Sequence, residues 1–266
     1  MSGSTALSGT PAADPAATQA RFRYVLRLAD ASLILAQRLG ELVGHAPALE
    51  EDLGLANIGL DLLGQARLLF AYAAELEGKG RTEDDFAFLR EHCDFLNPIL
   101  VEQPNGDFGQ TIVRQFLIDA WQAHLYEHLA ASHDTRLAEI AAKALKETRY
   151  HLRYSSNWLI RLGDGTPVSH ERVQRALDQL WPYTQELFDP DATDEEMTRA
   201  GIAPDCAAMR AAWNSQVDNV LGEATLQRPA DKPYLWYGKK GDHSEHLGHL
   251  LAPMQYLQRT YPGASW

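Results

Sequence analysis

The amino-acid sequence predicts an all-α protein, a four-helix bundle with additional helices in its C-terminal part. Four long segments carry apolar residues at helical spacing and end at turns that contain glycine or proline. No segment between them shows the alternation of apolar and polar residues that a strand requires. Because long helices joined by short connections pack antiparallel, these observations together indicate a bundle.

The first part of the chain supplies two of the long helices. Asp14 and Pro15 can serve as the N-cap and first residue of a helix that runs to about residue 43, where Gly-His-Ala-Pro ends it. A second helix is predicted over residues 49–77, and its glycines and alanines permit close approach of a neighbouring helix. A shorter helix over residues 86–95 leads into a loop with Pro and Asn-Gly turn signals.

The rest of the chain completes the bundle and extends it. The predicted helices are residues 108–131, 134–162, 169–188 with a bend near Pro182, 204–221, and 244–261 with an interruption at Pro253. Ser169 and Ser244 are the predicted N-caps of two of these helices. An aromatic and basic loop without a clear period is predicted over residues 223–242. We expect residues 1–13 to form a disordered tail and residues 14–266 to form a single domain.

Composition and charge exclude several classes of protein. The chain has 266 residues, a net charge of -12 and a pI near 5.2, which disfavour nucleic acid and anionic membrane surfaces as partners. Cys93 and Cys206 are the two cysteines, so neither a disulfide framework nor a cysteine-based zinc site is indicated. No secretory signal and no uninterrupted membrane-spanning segment is present. We therefore expect a cytoplasmic protein.

A row of polar residues interrupts the most apolar of these helices. Asn57, Asp61 and Gln65 are spaced four residues apart within ANIGLDLLGQAR, so they share one stripe of the helix. A helix that is apolar on nearly every side is normally buried, and the stripe is therefore expected to point inward. A buried carboxylate at Asp61 needs a cation, a hydrogen-bond cluster or a metal ion.

A di-iron centre is the metal site that a bundle of this kind could hold. Such centres use Glu and Glu-x-x-His ligands on the inner faces of four helices. The candidate positions in this chain are Gln37, Asp61, Gly64, Asp119, Glu147, Tyr150 and His151. No Glu or Asp anywhere in the chain is followed three residues later by His, so we expect no intact centre.

Two other interpretations of these polar residues are open. Glu147 and His151 could form a pair on the surface of the fourth helix. Alternatively, Asp61 and Asp119 could belong to a buried polar network in which cations from adjacent helices pair with them. The candidate cations are Arg67, Arg114, Lys146 and Arg149. A network of this kind specifies the packing of helices more than it adds stability.

Four stretches of the chain resemble a known family. They are LANIGLDLLGQARLLFAYAAEL, LVEQPNGDFGQTIVRQFLIDAW, KALKETRYHLRYSSNWLIRLG and GKKGDHSEHLGHLLAPMQYLQR, and the resemblance covers about residues 21 to 266. The chain resembles the non-catalytic structural subunits of the bacterial multicomponent phenylacetyl-CoA epoxidase. This resemblance implies a ferritin-like fold without iron ligands and without a cofactor of its own.

The same resemblance implies a set of partners. The expected partners are a homologous catalytic subunit that carries the di-iron centre and binds phenylacetyl-CoA, further small subunits, and a reductase with flavin and iron–sulfur groups that takes electrons from NADPH. The complex would form the ring 1,2-epoxide in aerobic phenylacetate degradation. Two alternatives are a di-iron oxygenase with unusual ligands and a ferritin-like binding module that acts alone.

Two further groups of residues are candidate sites. His243, Glu245, His246 and His249 could hold a metal, although groups at the start of a helix more often cap it or face solvent. Lys239 and Lys240 form a basic spot that could contact the phosphates of coenzyme A or an acidic partner, or could be a solvated turn. The apolar second helix is also expected to expose a broad apolar face to a partner subunit.

Overall fold

The computed structural model describes residues 15–233 and 236–264, so the predicted tail over residues 1–13 and the Asp14 cap lie outside the described residues. Its α-helices are α1 (Pro15–Leu42), α2 (Leu49–Glu77), α3 (Glu83–Phe88), α4 (Ile99–Glu102), α5 (Phe108–Leu129), α6 (Thr135–Gly163), α7 (Pro167–Leu180), α8 (Ala192–Arg199), α9 (Cys206–Glu223) and α10 (Glu245–Thr260). Short 3₁₀ segments span His92–Asp94, Trp181–Phe188 and Gly238–Lys240. No strand occurs in these ranges, and the prediction of an all-α fold is confirmed.

The four long helices form the predicted bundle. α1 packs along α2, α5 packs along α6, and α2 meets α6 between the two pairs. α1 also contacts α4, α8 and α10, so nearly all of its residues from Phe22 to Leu39 are buried. The additional helices therefore cover one side of the bundle and leave α2 and α6 as its outer long helices.

The ends of these helices follow from local sequence. Asp107 accepts a hydrogen bond from the backbone N–H of Gln110 at 2.9 Å, and Asp134 caps α6 through the N–H of Leu137 at 3.0 Å. α2 ends at Gly78, whose φ of 67° places it in the left-handed region that favours glycine. These residues explain why the boundaries of the long helices could be predicted closely.

Several of the shorter elements differ from the prediction. The helix predicted over residues 86–95 is α3, which ends at Phe88, and α4 lies in the segment that was predicted as a loop. α7 begins after Thr166, which forms a capping box with Ser169, so Ser169 lies inside the helix and is not its N-cap. The helix changes to 3₁₀ geometry at Trp181, because Pro182 has no backbone N–H to donate. α8 was not predicted at all, although Asp191 caps it and forms a capping box with Asp194.

The last helix also departs from the prediction. α10 continues through Pro253 instead of being interrupted there. Pro253 and His249 are exposed, so the carbonyl oxygen that loses its helical donor can be hydrated. Ser244 occupies the N-cap position, but its hydroxyl makes no cap hydrogen bond. No helix in the described part of the chain is both long enough and apolar enough to cross a membrane.

The segment before α10 is anchored by two buried carboxylates. Glu186 accepts hydrogen bonds from the backbone N–H groups of Ile99 at 2.8 Å and Lys239 at 2.9 Å. Glu102 accepts one from the N–H of Ser244 at 2.7 Å. Gly238 packs directly against the backbone at Asn97, because a Cβ added to it would lie 2.1 Å from the Asn97 carbonyl oxygen. The second half of the predicted loop over residues 223–242 is therefore held against α4.

Candidate functional site: the polar centre of the bundle

α2 and α6 meet through two polar bridges at the centre of the bundle. His151 Nε2 lies 3.0 Å from Asp61 Oδ2, and the His151 side chain is fully buried while that of Asp61 is 41% exposed. Gln65 donates through Nε2 to Glu147 Oε2 at 3.0 Å, one turn away on each helix. The interpretation of Glu147 and His151 as a surface pair is therefore wrong, because both face α2.

Asp119 on α5 forms the third part of this centre. Its carboxylate is fully buried and accepts hydrogen bonds from Gln115 Nε2 and Ser155 Oγ, each at 2.7 Å. Burial raises the pKa of Asp119 to about 6, although the charge of His151 and the bonds from Ser155 and Gln115 act in the opposite direction. The carboxylate is thus held by neutral donors, in a place where ionisation is costly.

The stripe on α2 points inward at only one end. Gln65 is buried and Asp61 is partly exposed, whereas Asn57 faces solvent. The expectation that all three point into the protein is therefore wrong. The reason is that α2 has an open face, on which Leu49, Leu53 and Leu60 are 70%, 55% and 65% exposed.

The predicted cations do not neutralise the two aspartates. Arg67 is paired with Glu83, Arg149 with Glu127, and Arg114 with Asn105 and the carbonyl of Gln103, while Lys146 is exposed. The partners of Asp61 and Asp119 are an imidazole, a hydroxyl and an amide instead. The hydrogen-bond cluster predicted as an alternative to a cation is what the structure contains.

The other three candidate di-iron positions, Gln37, Gly64 and Tyr150, are not part of this hydrogen-bonded centre. Gln37 is half-buried on α1 and, within the described residues, makes no hydrogen bond to the cluster. Gly64 has nothing within 4 Å of the place where a Cβ would stand. Tyr150 is 46% exposed, so position 150 of α6 faces outward while position 151 faces the bundle centre.

The residues at the centre do not fit a di-iron cluster. Asp61 and His151 bond to each other, and the Glu147 carboxylate is engaged by Gln65. Across residues 15–233 and 236–264, no three His, Cys, Asp or Glu side chains are grouped closely enough to hold a metal ion. Whether the chain binds iron in solution stays a prediction to be tested by metal counting.

His243, which precedes α10, has a structural role. His243 Nδ1 lies 2.9 Å from Glu102 Oε2, and its Nε2 lies 2.7 Å from the carbonyl oxygen of Phe95. Burial alone would lower the pKa of His243, but the hydrogen bond and charge of Glu102 outweigh it, and the pKa is raised. Glu245 and His249 are exposed and His246 is half-buried, so the alternative of a metal site has no support in the described residues.

The two lysines of the basic spot have different environments. Lys239 is buried, and its Nζ donates to the carbonyl oxygen of Asp189 at 2.7 Å and to Asp194 Oδ2 at 3.0 Å. Lys239 is therefore not available to an external anion, and that part of the prediction is wrong. Lys240 is exposed and its Nζ lies 4.4 Å from the centroid of the Tyr237 ring.

A second set of buried charges escaped the sequence-based prediction. On α1, Arg27 pairs with Asp191 and Asp194, and Asp30 pairs with Arg90 and accepts the backbone N–H of Leu96 at 2.9 Å. The sequence does indicate buried charges here, since Arg27 and Asp30 lie within a mostly apolar stretch of the first helix. Their partners could not be identified, because they lie far away along the chain.

Comparisons with known proteins agree with this architecture. The family model described as phenylacetic acid catabolic protein matches residues 6–266. One of the subunits of the 1,2-phenylacetyl-CoA epoxidase of Escherichia coli (strain K12) is 56% identical over 243 residues, which are 91% of this chain and 98% of that protein. A solved structure, titled protein 19 with aldehyde deformylating oxidase activity from Synechococcus, has a TM-score of 0.61 at 16% identity and covers 80% of this chain and 93% of its own. That likeness shows the ferritin-like fold alone, whereas the first two matches show that the chain belongs to the family of phenylacetic acid catabolic proteins.

Proposed function

We propose that this chain is the structural, non-catalytic subunit of a phenylacetyl-CoA epoxidase complex that acts in aerobic phenylacetate degradation in the cytoplasm. In this proposal the di-iron centre and the substrate site belong to a homologous catalytic subunit, and flavin, iron–sulfur and NADPH chemistry belongs to a reductase. Further small subunits complete the complex, and this chain needs no cofactor.

The observation that carries the proposal is that each carboxylate at the bundle centre, and Nε2 of the His151 imidazole, bonds to a neighbouring side chain. A di-iron oxygenase needs about four carboxylates and two imidazoles that are free to bind metal. In this bundle the buried imidazole near the centre, His151, is bonded to Asp61, and Asp119 is bonded to Ser155 and Gln115. Buried polar groups with such partners specify how helices pack, which is a structural role.

The outer face of α2 supports a stable association with a partner. Leu49, Leu53 and Leu60 form an exposed apolar stripe about 17 Å long on an α-helix. Apolar surface of this kind on the outside of a bundle usually marks an interface. We expect a contact of obligate type, on the order of 2,000 Å², with the long helices of the catalytic subunit.

The exposed charges of the neighbouring helix, α6, indicate which kind of partner surface would fit. α6 adjoins α2 and exposes Lys143, Lys146 and Arg153, which have no carboxylate partner among the described residues. A partner that covers α6 as well as the α2 stripe would meet these cations best with acidic groups. Raising the salt concentration is then expected to slow association more than it speeds dissociation.

Coexpression with a homologous subunit that carries two Glu-x-x-His motifs tests the proposal. The expected result is a stable complex in which iron copurifies with the partner and this chain alone holds none. Epoxidation of phenylacetyl-CoA with the reductase should require both chains. About two tightly bound irons in this chain, or full turnover by the partner alone, would overturn the proposal.

Variants of the α2 stripe make this test specific. Leu53→Asp and Leu60→Asp should each weaken association at least tenfold. Leu89→Asp is the matched control, because Leu89 is 54% exposed but lies at the end of α3, away from the stripe. Equal loss of association in all three variants would show that the stripe on α2 is not the interface.

A further inference from the structure

A cleft outside the bundle centre collects positive side chains. It has a volume of about 300 Å³ and lies between the N-terminal half of α1, the segment from Arg81 to Leu96, and Lys240. Four cations line it, Arg23, Arg81, Arg90 and Lys240, against one carboxylate, that of Asp94. On a chain with a net charge of -12, this is an unusual concentration of positive charge.

Two of the four cations are already neutralised and serve as walls of the cleft. Arg90 is buried, pairs with Asp30, and donates to the carbonyl oxygen of Phe86 at 2.6 Å. Arg81 bonds Glu77 through Nε at 2.7 Å and through a terminal nitrogen at 2.6 Å. The guanidinium of Arg81 also lies 4.1 Å from the centroid of the Phe86 ring, so its position is fixed.

The other two cations have no carboxylate partner among the described residues. Arg23 is half-buried on α1, and Lys240 is exposed with its ammonium 4.4 Å from the centroid of the Tyr237 ring. A half-buried guanidinium without a counter-charge loses hydration that no ion pair replaces. Asp94 forms no ion pair with either cation among the described residues, and its carboxylate accepts the backbone N–H of Glu91 at 3.1 Å in a capping box, but its charge still offsets one of the two.

We propose that this cleft binds a phosphate-bearing small molecule, with Arg23 and Lys240 as the groups that contact the phosphates. Arginine and lysine together are the usual phosphate donors, because the guanidinium bonds two oxygens at once and the ammonium acts as a point charge. With Arg81 and Arg90 paired, Arg23 and Lys240 against Asp94 leave the cleft with one excess positive charge, so it suits an anionic ligand. A diphosphate can place one phosphate group against each of the two cations that have no ion-pair partner. The cleft volume lies at the lower end of the range for small-molecule sites, so it suits a compact ligand better than an extended peptide.

Calorimetric titration of the full chain with inorganic pyrophosphate tests the site. We expect one equivalent to bind, and Arg23→Gln and Lys240→Gln each to weaken binding at least tenfold. Lys79→Gln is the matched control, since Lys79 carries a positive charge near Arg81 but does not line the cleft. Absence of binding at millimolar pyrophosphate, or equal weakening in all three variants, would overturn the proposal.

Cys93 provides an independent readout of where the anion binds. Cys93 is exposed and lines the cleft, whereas Cys206 is half-buried and burial raises its pKa to about 11. The neutral reagent iodoacetamide should therefore label Cys93 first, and pyrophosphate should slow that labelling severalfold. In Arg23→Gln the protection should disappear. Unchanged labelling of the wild-type chain at saturating pyrophosphate would place the anion elsewhere and refute the site. The outcome is independent of the proposed structural role, which pyrophosphate binding does not test.

Discussion

Replacing the buried carboxyl of Asp119 with an amide should remove a pH dependence from the stability of the protein. Asp119 is fully buried on α5, and its pKa is raised from 3.8 to about 6, chiefly by burial. The geometry tolerates the neutral form, because the Ser155 hydroxyl can donate to the carbonyl of Leu152, 3.3 Å away, and accept from residue 119 instead. Asp119→Asn therefore mimics the protonated side chain at every pH.

The size of the change in the free energy of unfolding follows from the pKa shift of Asp119. A pKa that is higher in the folded than in the unfolded state gives stability that is fully present below the unfolded value and lost as pH rises through the folded value. For Asp119 the window runs from about pH 4 to about pH 7, and a shift of about two units corresponds to about 3 kcal/mol. The wild-type free energy of unfolding should fall by about that amount across the window relative to the variant.

Urea unfolding followed by circular dichroism, at half-unit steps from pH 3.5 to pH 8, measures this difference. Subtracting the curve of Asp119→Asn from that of the wild type isolates this one carboxyl from every other titrating group. Ser155→Ala provides a further test, since it removes a bond that lowers the pKa of Asp119, and it should extend the fall to higher pH. A difference curve that is flat across the window would refute the assignment of a raised pKa to Asp119.

Three further predictions concern the C-terminal segment and the bundle centre. Gly238→Ala places a Cβ 2.1 Å from the carbonyl oxygen of Asn97 and should lower the free energy of unfolding by more than about 2 kcal/mol, whereas Gly248→Ala, which meets nothing within 4 Å, should raise it by about 0.5–1 kcal/mol in urea titrations. Glu186→Gln should cost about 1–3 kcal/mol at pH 5, where the wild-type carboxyl is largely protonated because burial raises its pKa to about 7, and where the amide NH2 cannot accept from the backbone N–H it faces; wild-type stability at that pH would contradict this. Asp61→Asn should reduce the yield of the epoxidase complex more than the turnover of the complex that forms, and intact assembly with no turnover would show that its role is not structural.

The long helices were predictable because their ends are determined locally. Asp107, Asp134 and Gly78 act within one turn of their own helix, so the sequence around each is sufficient to place it. The 3₁₀ segment at Trp181 and α8 are shorter and depend on tertiary contacts. α8 packs against α1, where Arg27 reaches Asp191, and no window of neighbouring residues contains that pair.

The environment of single side chains was less predictable than the helices that carry them. On α6 the apolar residues Leu137, Ala141 and Leu159 are fully buried, but Leu145 and Leu152 are only half-buried. The polar residues Thr148, His151 and Ser155 are fully buried in the same part of the helix. Polar groups on α2 and α5 supply partners for His151 and Ser155, which is why these two polar residues can be buried beside the apolar ones. Lys239 was misjudged for the same reason, because its carboxylate partner Asp194 lies on a helix that was not predicted.

The side of α6 that faces the bundle interior bears on how this bundle differs from a di-iron protein. In a Glu-x-x-His pair the imidazole stands three residues after the carboxylate, which is position 150 when the carboxylate is Glu147. Position 150 is 46% exposed here, while His151 at position 151 is fully buried against Asp61. An imidazole introduced at position 150 would therefore face solvent instead of the centre. For a pair that starts at Glu147, the difference from a metal site thus lies in the face that α6 buries as well as in residue identity. Beside Glu147, the two fully buried positions three residues apart are 148 and 151, and position 148 carries Thr instead of a carboxylate.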